Sequence, residues 1–287
     1  PKVAFEIANS IWYRNTFQVE QDFLDLNKNY FYSEVTPLDF NDPGAKDIIN
    51  GWVSDKTHGK IESIIDHISP YHVMFLINAV YFKGTWQYEF DKDNTREMNF
   101  TLADGTEKMV PMMVQKNDFQ YFQNDVFEMA QLPYGDGKFS MVLLVPRMNK
   151  EVDDITGIMT AENWGTWLGS LGTVHGLQLY MPKFKFEFKE TLNEMLIAMG
   201  MEQAFTPQAD FTGIHKNGGI YISEVKHKTF VEVNEEGTEA AAVTSVGFTN
   251  TSVSNDKMLF ANKPFIFAIT DRNTKSVLFI GKVADPS

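Results

Sequence analysis

The chain of 287 residues contains no cysteine. It can therefore form no disulfide bond and offers no thiolate for catalysis or for a structural zinc site, although a cysteine-free protein is compatible with either redox environment. The six histidines include no pair at helical ligand spacing with a carboxylate between them. We therefore expect no metal and no cofactor.

Basic charge and long apolar runs are also scarce. Thirty-eight acidic residues against 25 basic ones give a net charge of −13, which argues against nucleic acid and anionic membranes as partners. No apolar run approaches the length of a bilayer-spanning helix, and no signal-peptide pattern is present. Because the first residue is Pro1 rather than Met, we expect the true N-terminus to lie upstream.

Signatures of catalysis are missing as well. No glycine-rich phosphate loop follows a strand pattern, and the stretch 169–172 (Gly-Ser-Leu-Gly) lacks the spacing of a nucleophile elbow. Pairs of carboxylates are expected in any acidic protein and are most simply solvated surface charges. We therefore predict that the chain is not an enzyme.

What the chain does contain is 43% hydrophobic residues, arranged mostly as strand patterns. Asp104-Gly105 and Asp136-Gly137 predict hairpin turns. The run at 73–82 is nearly all apolar, as in a strand covered on both faces. The fold class is therefore α+β, in one mixed domain. Strands are predicted over 3–13, 30–35, 73–82, 98–102, 109–114, 127–132, 139–145, 229–233, 264–269 and 277–283.

Helical spacing is found in three shorter segments. Asp42 before Pro43 is a favourable helix start, and the buried stripe predicted after it contains Ile48, Ile49, Trp52 and Val53. The other two helical patterns contain Val19, Phe23, Leu24 and Leu26, and then Leu192, Met195, Leu196 and Met199, with Gly200 at the expected stop.

The inward-facing parity changes at Pro182-Lys183. Apolar residues alternate on odd positions up to Met181 and on even positions from Phe184 to Phe188. A bulge, or a passage from one sheet to another, would explain the change.

A long loop near the C-terminus, about 235–259, has no helix or strand pattern of its own, and such loops are usually disordered or functional. Small or β-branched residues occupy alternate positions in it, as in a segment that can become a strand; an alanine-rich helical turn is the alternative. These residues are Thr238, Ala240, Ala242, Thr244 and Val246.

Motifs along the whole chain resemble the serpin family. Each is weak alone, but together and in this order they are specific. They are Glu-Gly-Thr-Glu-Ala-Ala-Ala at 236–242, Asn-Ala-Val-Tyr-Phe-Lys-Gly-Thr-Trp at 78–86, Leu-Pro-Tyr at 132–134, Met-Pro-Lys-Phe at 181–184, Ala-Asp-Phe-Thr-Gly-Ile at 209–214, Val-Lys-His-Lys at 225–228, Lys-Pro-Phe-Ile-Phe at 263–267 and Phe-Ile-Gly-Lys-Val at 279–283.

The resemblance implies one serpin domain over 1–287, with the family's first helices and one central strand absent. It implies a reactive-centre loop that, once cut by a target serine protease or a cysteine protease, inserts into the central sheet and traps the enzyme. A monomeric inhibitor, extracellular or in the cell envelope, is expected; a non-inhibitory carrier or chaperone is the alternative. The implied hinge consists of Glu235, Glu236, Gly237, Thr238, Glu239, Ala240, Ala241 and Ala242.

Family spacing from Glu235 implies a reactive bond between Thr251 and Ser252, whereas a count back from Asn262 ends near Val253. A small apolar residue before the bond suits an elastase-like or subtilisin-like protease. Phe248 is a further alternative, suited to a chymotrypsin-like enzyme.

Four further positions match the family's conformational machinery. Lys183 would pair with Glu235 at the top of the sheet (the breach), although a surface pair adds little stability. Asn78 and His227 match a buried hydrogen bond (the shutter), with a plain core histidine as the alternative. Trp86 matches the breach tryptophan or is simply a packed aromatic residue.

Overall fold

The computed structural model describes residues 3–238 and 257–286. The described residues form fourteen strands and five α-helices. The strands are β1 Val3–Arg14, β2 Glu34–Leu38, β3 Met74–Thr85, β4 Arg96–Thr101, β5 Glu107–Gln123, β6 Phe127–Tyr134, β7 Phe139–Pro146, β8 Gly172–Pro182, β9 Phe184–Thr191, β10 Lys226–Asn234, β11 Gly237–Thr238, β12 Met258–Phe260, β13 Phe265–Asp271 and β14 Val277–Val283. The helices are α1 Gln21–Phe31, α2 Ala45–Lys56, α3 Val152–Thr156, α4 Ala161–Gly169 and α5 Asn193–Leu196.

The strands build two sheets. One has six strands in the order β2-β1-β3-β11-β10-β9. The other has eight, in the order β12-β8-β5-β6-β7-β13-β14, with β4 paired to β5. The predicted hairpins at Asp104-Gly105 and Asp136-Gly137 join β4 to β5 and β6 to β7 as antiparallel pairs. Both glycines have positive φ, 85° and 84°, which favours glycine at those turns.

The chain divides into two compact units, each with a core of its own. One contains residues 1–4, 82–186 and 231–287, and the other contains residues 5–81 and 187–230. The expected single domain over 1–287 therefore stays a prediction.

In the unit of residues 5–81 and 187–230, the core is built around α2. Ile49 and Val53 of this helix are fully buried and pack with Trp12 and Phe40. The side chain of the buried Asn50 accepts hydrogen bonds from the amides of residues 64 and 65 and donates one to the carbonyl of residue 65. This one side chain therefore holds the following loop against the helix.

In the other unit, α3 and α4 cover one face of the strands. Trp167 of α4 lies edge-on to Phe127 of β6, with ring centroids 4.7 Å apart, and Ile155 of α3 is fully buried in the same cluster. β6 and β7 are buried along almost their whole length.

The parity change at Pro182-Lys183 marks a passage between the two sheets. β8 belongs to the eight-stranded sheet and ends at Pro182, whereas β9 begins at Phe184 in the six-stranded sheet. Phe184 is buried and Phe188 is exposed, so the even-numbered side chains of β9 are not all buried as the alternation predicted.

Several local predictions are wrong. The strand predicted over 30–35 begins only at Glu34 and continues to Leu38, because α1 extends to Phe31 and is capped by Tyr32 with a φ of 51°. Helix α2 begins at Ala45, since the Asp42 carboxylate accepts the Gly44 amide within the preceding turn. Five apolar side chains of the predicted helical patterns and of the run at 73–82 are exposed, namely Leu26, Ile48, Leu76, Met195 and Met199.

Candidate functional site: the loop hinge

A two-residue hairpin forms the end of β10. Asn234 pairs with Gly237 and Val233 with Thr238, so Glu235 and Glu236 are the hairpin loop. The two residues of β11 also pair antiparallel with β3, Gly237 opposite Thr85 and Thr238 opposite Gly84. The start of the long loop therefore occupies a strand position between β3 and β10.

The hairpin backbone is held by the segment that follows β3. The Trp86 amide donates to the Glu236 carbonyl at 2.8 Å, and the Phe90 amide donates to the Glu235 carbonyl at 2.9 Å. Trp86 Nε1 donates to the Asn234 carbonyl at 2.9 Å. The Asn234 side chain accepts the Glu236 and Gly237 amides at 3.0 and 3.2 Å. Three successive carbonyls are thus satisfied, which fixes where β11 starts.

Gly237 is the residue that the geometry requires at this position. Its φ is 149°, and a Cβ there would lie 2.0 Å from the Gly84 carbonyl oxygen and 2.7 Å from Thr85 Cα. These neighbours are backbone atoms of β3 and cannot rotate away. A side chain at residue 237 is therefore incompatible with the observed pairing.

The Glu235 carboxylate is buried and has two side-chain donors. Lys183 Nζ lies 3.0 Å from one oxygen, and the Thr95 hydroxyl donates to the other at 2.8 Å. Burial raises the pKa of Glu235, but hydrogen bonds from its own amide, Thr95 and Lys183, together with the lysine charge, outweigh burial and lower the pKa below its ordinary value. The carboxylate is therefore ionised at neutral pH.

Glu236 is also buried, and its partner is Lys92. The Lys92 amine lies 2.5 Å from Oε1, and the hydrogen bond to Glu236 raises the pKa of Lys92. Within the described residues, the buried Oε2 has no hydrogen-bond partner. We refer to Lys92, Thr95, Lys183, Glu235 and Glu236 as the hinge cluster.

Thr238 faces the interior. Its hydroxyl lies 2.7 Å from the Tyr134 hydroxyl, and both side chains are buried. Burial raises the pKa of Tyr134, so the phenol stays neutral. Trp86 stacks on the Tyr134 ring at 4.4 Å and 11°. The Thr238 side chain thus lies against the stacked rings of Tyr134 and Trp86, and the Tyr134 hydroxyl is its hydrogen-bond partner.

The predicted shutter residues have a different environment. Asn78 and His227 are both exposed, and so is Leu76 on the same strand as Asn78. Asn78 donates to the Asn9 side chain at 2.8 Å, and the His227 ring lies 6.2 Å from that of Phe188. The expected buried hydrogen bond is therefore not found in the described part of the chain, since this face of β3 is open there.

The rest of the predicted loop lies outside the described residues. This applies to Glu239, Ala240, Ala241 and Ala242 of the hinge and to Phe248, Thr251, Ser252 and Val253 near the reactive bond. Within 3–238 and 257–286, no helix is long and apolar enough to cross a membrane.

The family model described as "Serpin (serine protease inhibitor)" matches residues 1–286. The chain belongs to the serpin family. A serpin-like protein of Methanosarcina acetivorans is 36% identical over 98% of this chain and 67% of its own length. Intracellular coagulation inhibitor 2 of Tachypleus tridentatus is 34% identical over 98% of this chain and 70% of its own. The crystal structure of tengpin, a thermophilic serpin in the native state, matches 99% of this chain and 74% of its own with a TM-score of 0.90 at 36% identity.

These matches confirm the α+β serpin fold. The chain spans about two thirds of the length of the serpin relatives reported above. The family is generally one of protease inhibitors, and the relatives include inhibitors from an animal as well as archaeal serpins, so an extracellular location does not follow from membership.

Sequence reasoning missed four contributors to the serpin hinge: Lys92, Thr95, Tyr134 and Asn234. Tyr134 belongs to a family motif, and Asn234 directly precedes the hinge, so both could have been predicted from the sequence. Lys92 and Thr95 contact residues about 140 positions away, which no local pattern indicates.

Proposed function

We propose that this serpin is a single-use inhibitor of serine endopeptidases, which traps the acyl-enzyme when the cleaved loop enters the six-stranded sheet between β3 and β10. The observation that carries the proposal is the position of Gly237 and Thr238. Two residues of the loop already pair with both neighbouring strands. Insertion would therefore extend an existing strand rather than nucleate a new one.

The observed register sets how far the strand can grow. Each further loop residue would pair one position nearer the start of β3, so residue 248 would pair with Met74, the first residue of β3. On the other side, residue 245 would pair with Lys226, the first residue of β10. A bond between Thr251 and Ser252 lies just beyond this strand, whereas a bond after Phe248 would lie at its end.

Side-chain alternation agrees with the loop composition. Because Thr238 faces Tyr134, the side chains of Ala240, Ala242, Thr244 and Val246 would follow it to the interior. All of these are small or β-branched. Glu239 would face the opposite side of the sheet.

Trapping requires that the loop inserts faster than water hydrolyses the acyl-enzyme ester. The protease serine attacks the Thr251 carbonyl carbon, the bond to the Ser252 nitrogen breaks, and the new amine leaves with a proton while the ester remains. Because Thr238 is already paired, insertion of the thirteen residues from 239 to 251 would move the ester about 43 Å at about 3.3 Å per residue. About a dozen new ladder hydrogen bonds, each contributing about 1 kcal/mol, and apolar burial would drive the movement.

The test is Thr238→Arg, with Glu239→Arg as the matched control. An arginine at 238 would have to enter the space under Tyr134, whereas one at 239 would face outward. We expect Thr238→Arg to be cleaved without forming a detergent-stable complex and Glu239→Arg to inhibit like the wild type. Undiminished complex formation by Thr238→Arg would refute insertion.

A panel of serine and cysteine proteases mixed with the full-length protein identifies the target by covalent complexes on denaturing gels. N-terminal sequencing of the released peptide identifies the bond: a start at Ser252 supports the assignment, and a start at Thr249 rejects it. If loop cleavage leaves the melting temperature unchanged, the non-inhibitory carrier or chaperone is supported instead.

The monomeric state, the extracellular or cell-envelope location and the elastase-like or subtilisin-like specificity stay predictions. Size-exclusion chromatography, cell fractionation and the protease panel test them in turn.

A further inference from the structure

We propose that Lys92 is a positioning residue of the hinge: its ion pair with Glu236 holds the first inserted residues in register and so decides how often the cut loop enters the sheet before the protease escapes. This inference rests on the proposed function. Lys183 was expected from family resemblance, but Lys92 was not, and it contacts the adjacent carboxylate.

One short turn contacts both hinge carboxylates. Lys92–Asn94 is a single turn of 3-10 helix, and the side chain of Asp91 accepts the Asp93 amide at its start. Lys92, at the beginning of the turn, reaches Glu236, and Thr95, directly after it, donates to Glu235. Two side chains of this segment, those of Lys92 and Thr95, therefore contact the two consecutive residues of the hairpin loop.

The burial of the two partners is unequal. The Glu236 side chain is only 9% exposed, whereas that of Lys92 is 58% exposed. The other carboxylate oxygen of Glu236 is buried with no hydrogen-bond partner among the described residues, so the Lys92 ammonium supplies the one ion pair found there for this carboxylate. Without the ammonium, a buried carboxylate would be left uncompensated and would favour a hinge conformation in which it reaches water.

Movement of Glu236 cannot leave β11 unchanged. Gly237 follows it directly, and the pairing of Gly237 with Thr85 leaves no room for adjustment, because even an added Cβ would collide with the β3 backbone. A hinge that moves Glu236 toward solvent would therefore withdraw Thr238 from Tyr134. After cleavage such a hinge would have to re-form the first two strand pairs before insertion could proceed, and the delay favours hydrolysis of the ester.

The experiment compares four variants of the full-length protein with the wild type. Lys92→Gln removes the charge, and Lys92→Arg retains it. Lys92→Gln with Glu236→Gln removes the uncompensated carboxylate. Lys108→Gln is the matched control, because it breaks an ion pair with Asp285 at 2.7 Å between exposed side chains in the same compact unit. Two quantities are measured: the inhibitor molecules consumed per protease trapped, and the rate constant of first association.

We expect Lys92→Gln to raise the consumption of inhibitor by about threefold or more, the effect of losing an ion pair whose lysine is mostly exposed to solvent. The association rate should stay unchanged, because the bait residues are not altered. Lys92→Arg and the double variant should recover most of the wild-type stoichiometry, which a merely structural loss of Lys92 would not do. If Lys92→Gln behaves like Lys108→Gln, or if the double variant is no better than Lys92→Gln, the inference is wrong.

A second readout separates this inference from the proposed function. The loop is nicked with a protease that the serpin does not trap, and insertion is followed over time by intrinsic tryptophan fluorescence and by the gain in melting temperature. If the nicked wild type inserts but traps no protease of the panel, the proposed function fails, and the insertion rates of the Lys92 variants still decide the inference. If the nicked wild type never inserts, both are overturned.

Discussion

The hinge pair Glu235 and Lys183 and the shutter residues Asn78 and His227 were expected from the same family resemblance, yet the structure gives the two pairs opposite environments. At the hinge, two buried carboxylates each meet a lysine, and three carbonyls accept hydrogen bonds from the segment after β3. At the shutter, both side chains are exposed.

The difference shows where this chain has a complete interaction network of its own. The hinge contacts all lie within one compact unit, so the described residues are sufficient to build them. The shutter face of β3 is open within the described residues. We therefore expect substitutions at the hinge to have large effects and those at the shutter to have small ones, and four experiments test this difference.

The largest effect is expected for Gly237→Ala. The added methyl group would overlap the Gly84 carbonyl oxygen, so β11 must leave its position and the hairpin contacts are lost, at a cost of about 2–4 kcal/mol. Chemical unfolding and complex formation with the target protease measure the loss. Gly172→Ala is the control, because a Cβ there meets nothing within 4 Å; equal effects of the two substitutions would contradict the observed pairing.

A smaller effect is expected for Lys183→Gln. It leaves the buried Glu235 carboxylate with Thr95 but without a cation, and we expect a loss of about 1–2 kcal/mol in the free energy of unfolding. Lys185→Gln, two residues away, weakens a 3.7 Å pair with Glu232 whose lysine is mostly exposed, and should cost at most about 0.5 kcal/mol. Similar losses for both would mean that burial of Glu235 does not matter.

Acidification should weaken the hinge through Glu235. Its folded-state pKa lies below the ordinary value of 4.5, so its contribution to stability is complete above pH 4.5 and is lost as the pH falls through the lower, folded-state pKa. Urea unfolding between pH 7 and pH 3 should therefore show a steeper loss of stability in the wild type than in Glu235→Gln. Parallel curves would exclude Glu235 as the cause.

The smallest effect is expected at the shutter. Asn78→Ala removes a hydrogen bond to Asn9 from an exposed site, and His227→Ala removes an exposed ring near Phe188. Each should change the free energy of unfolding by no more than about 0.5 kcal/mol. A loss comparable to that of Lys183→Gln would show that the shutter is covered in the protein in solution and would remove the contrast with the hinge.

Local signals were enough for much of the fold. Asp104-Gly105 and Asp136-Gly137 determine their hairpins through the left-handed conformation of their glycines. The parity change at Pro182-Lys183 correctly marked the passage between sheets, because alternation records which face is buried. The helix after Asp42 was predicted in the right place, although it begins at Ala45, two residues after the predicted start at Pro43.

Features that depend on distant residues were missed. The pattern at 30–35 is apolar enough for a strand, but α1 extends through Phe31, and Tyr30 and Phe31 lie exposed at its end. Exposure of Ile48 and Leu76 depends on which faces the rest of the chain covers. One of the two side-chain partners of Glu235, Lys183, was predicted from family resemblance. The other, Thr95, was found only in the structure.

Because the hairpin at Glu235-Glu236 fixes where β11 starts, the number of loop residues after Thr238 determines the length and the facing of the proposed inserted strand. If the loop inserts as proposed, with Gly237 fixed opposite Thr85, one residue added after Thr238 would turn every later side chain to the other face of the sheet and place Glu239 inward. Two added residues would restore the faces and lengthen the proposed inserted strand by about 7 Å. Under the proposed mechanism, variants lengthened by an even number of residues should therefore form protease complexes, and those lengthened by an odd number should not.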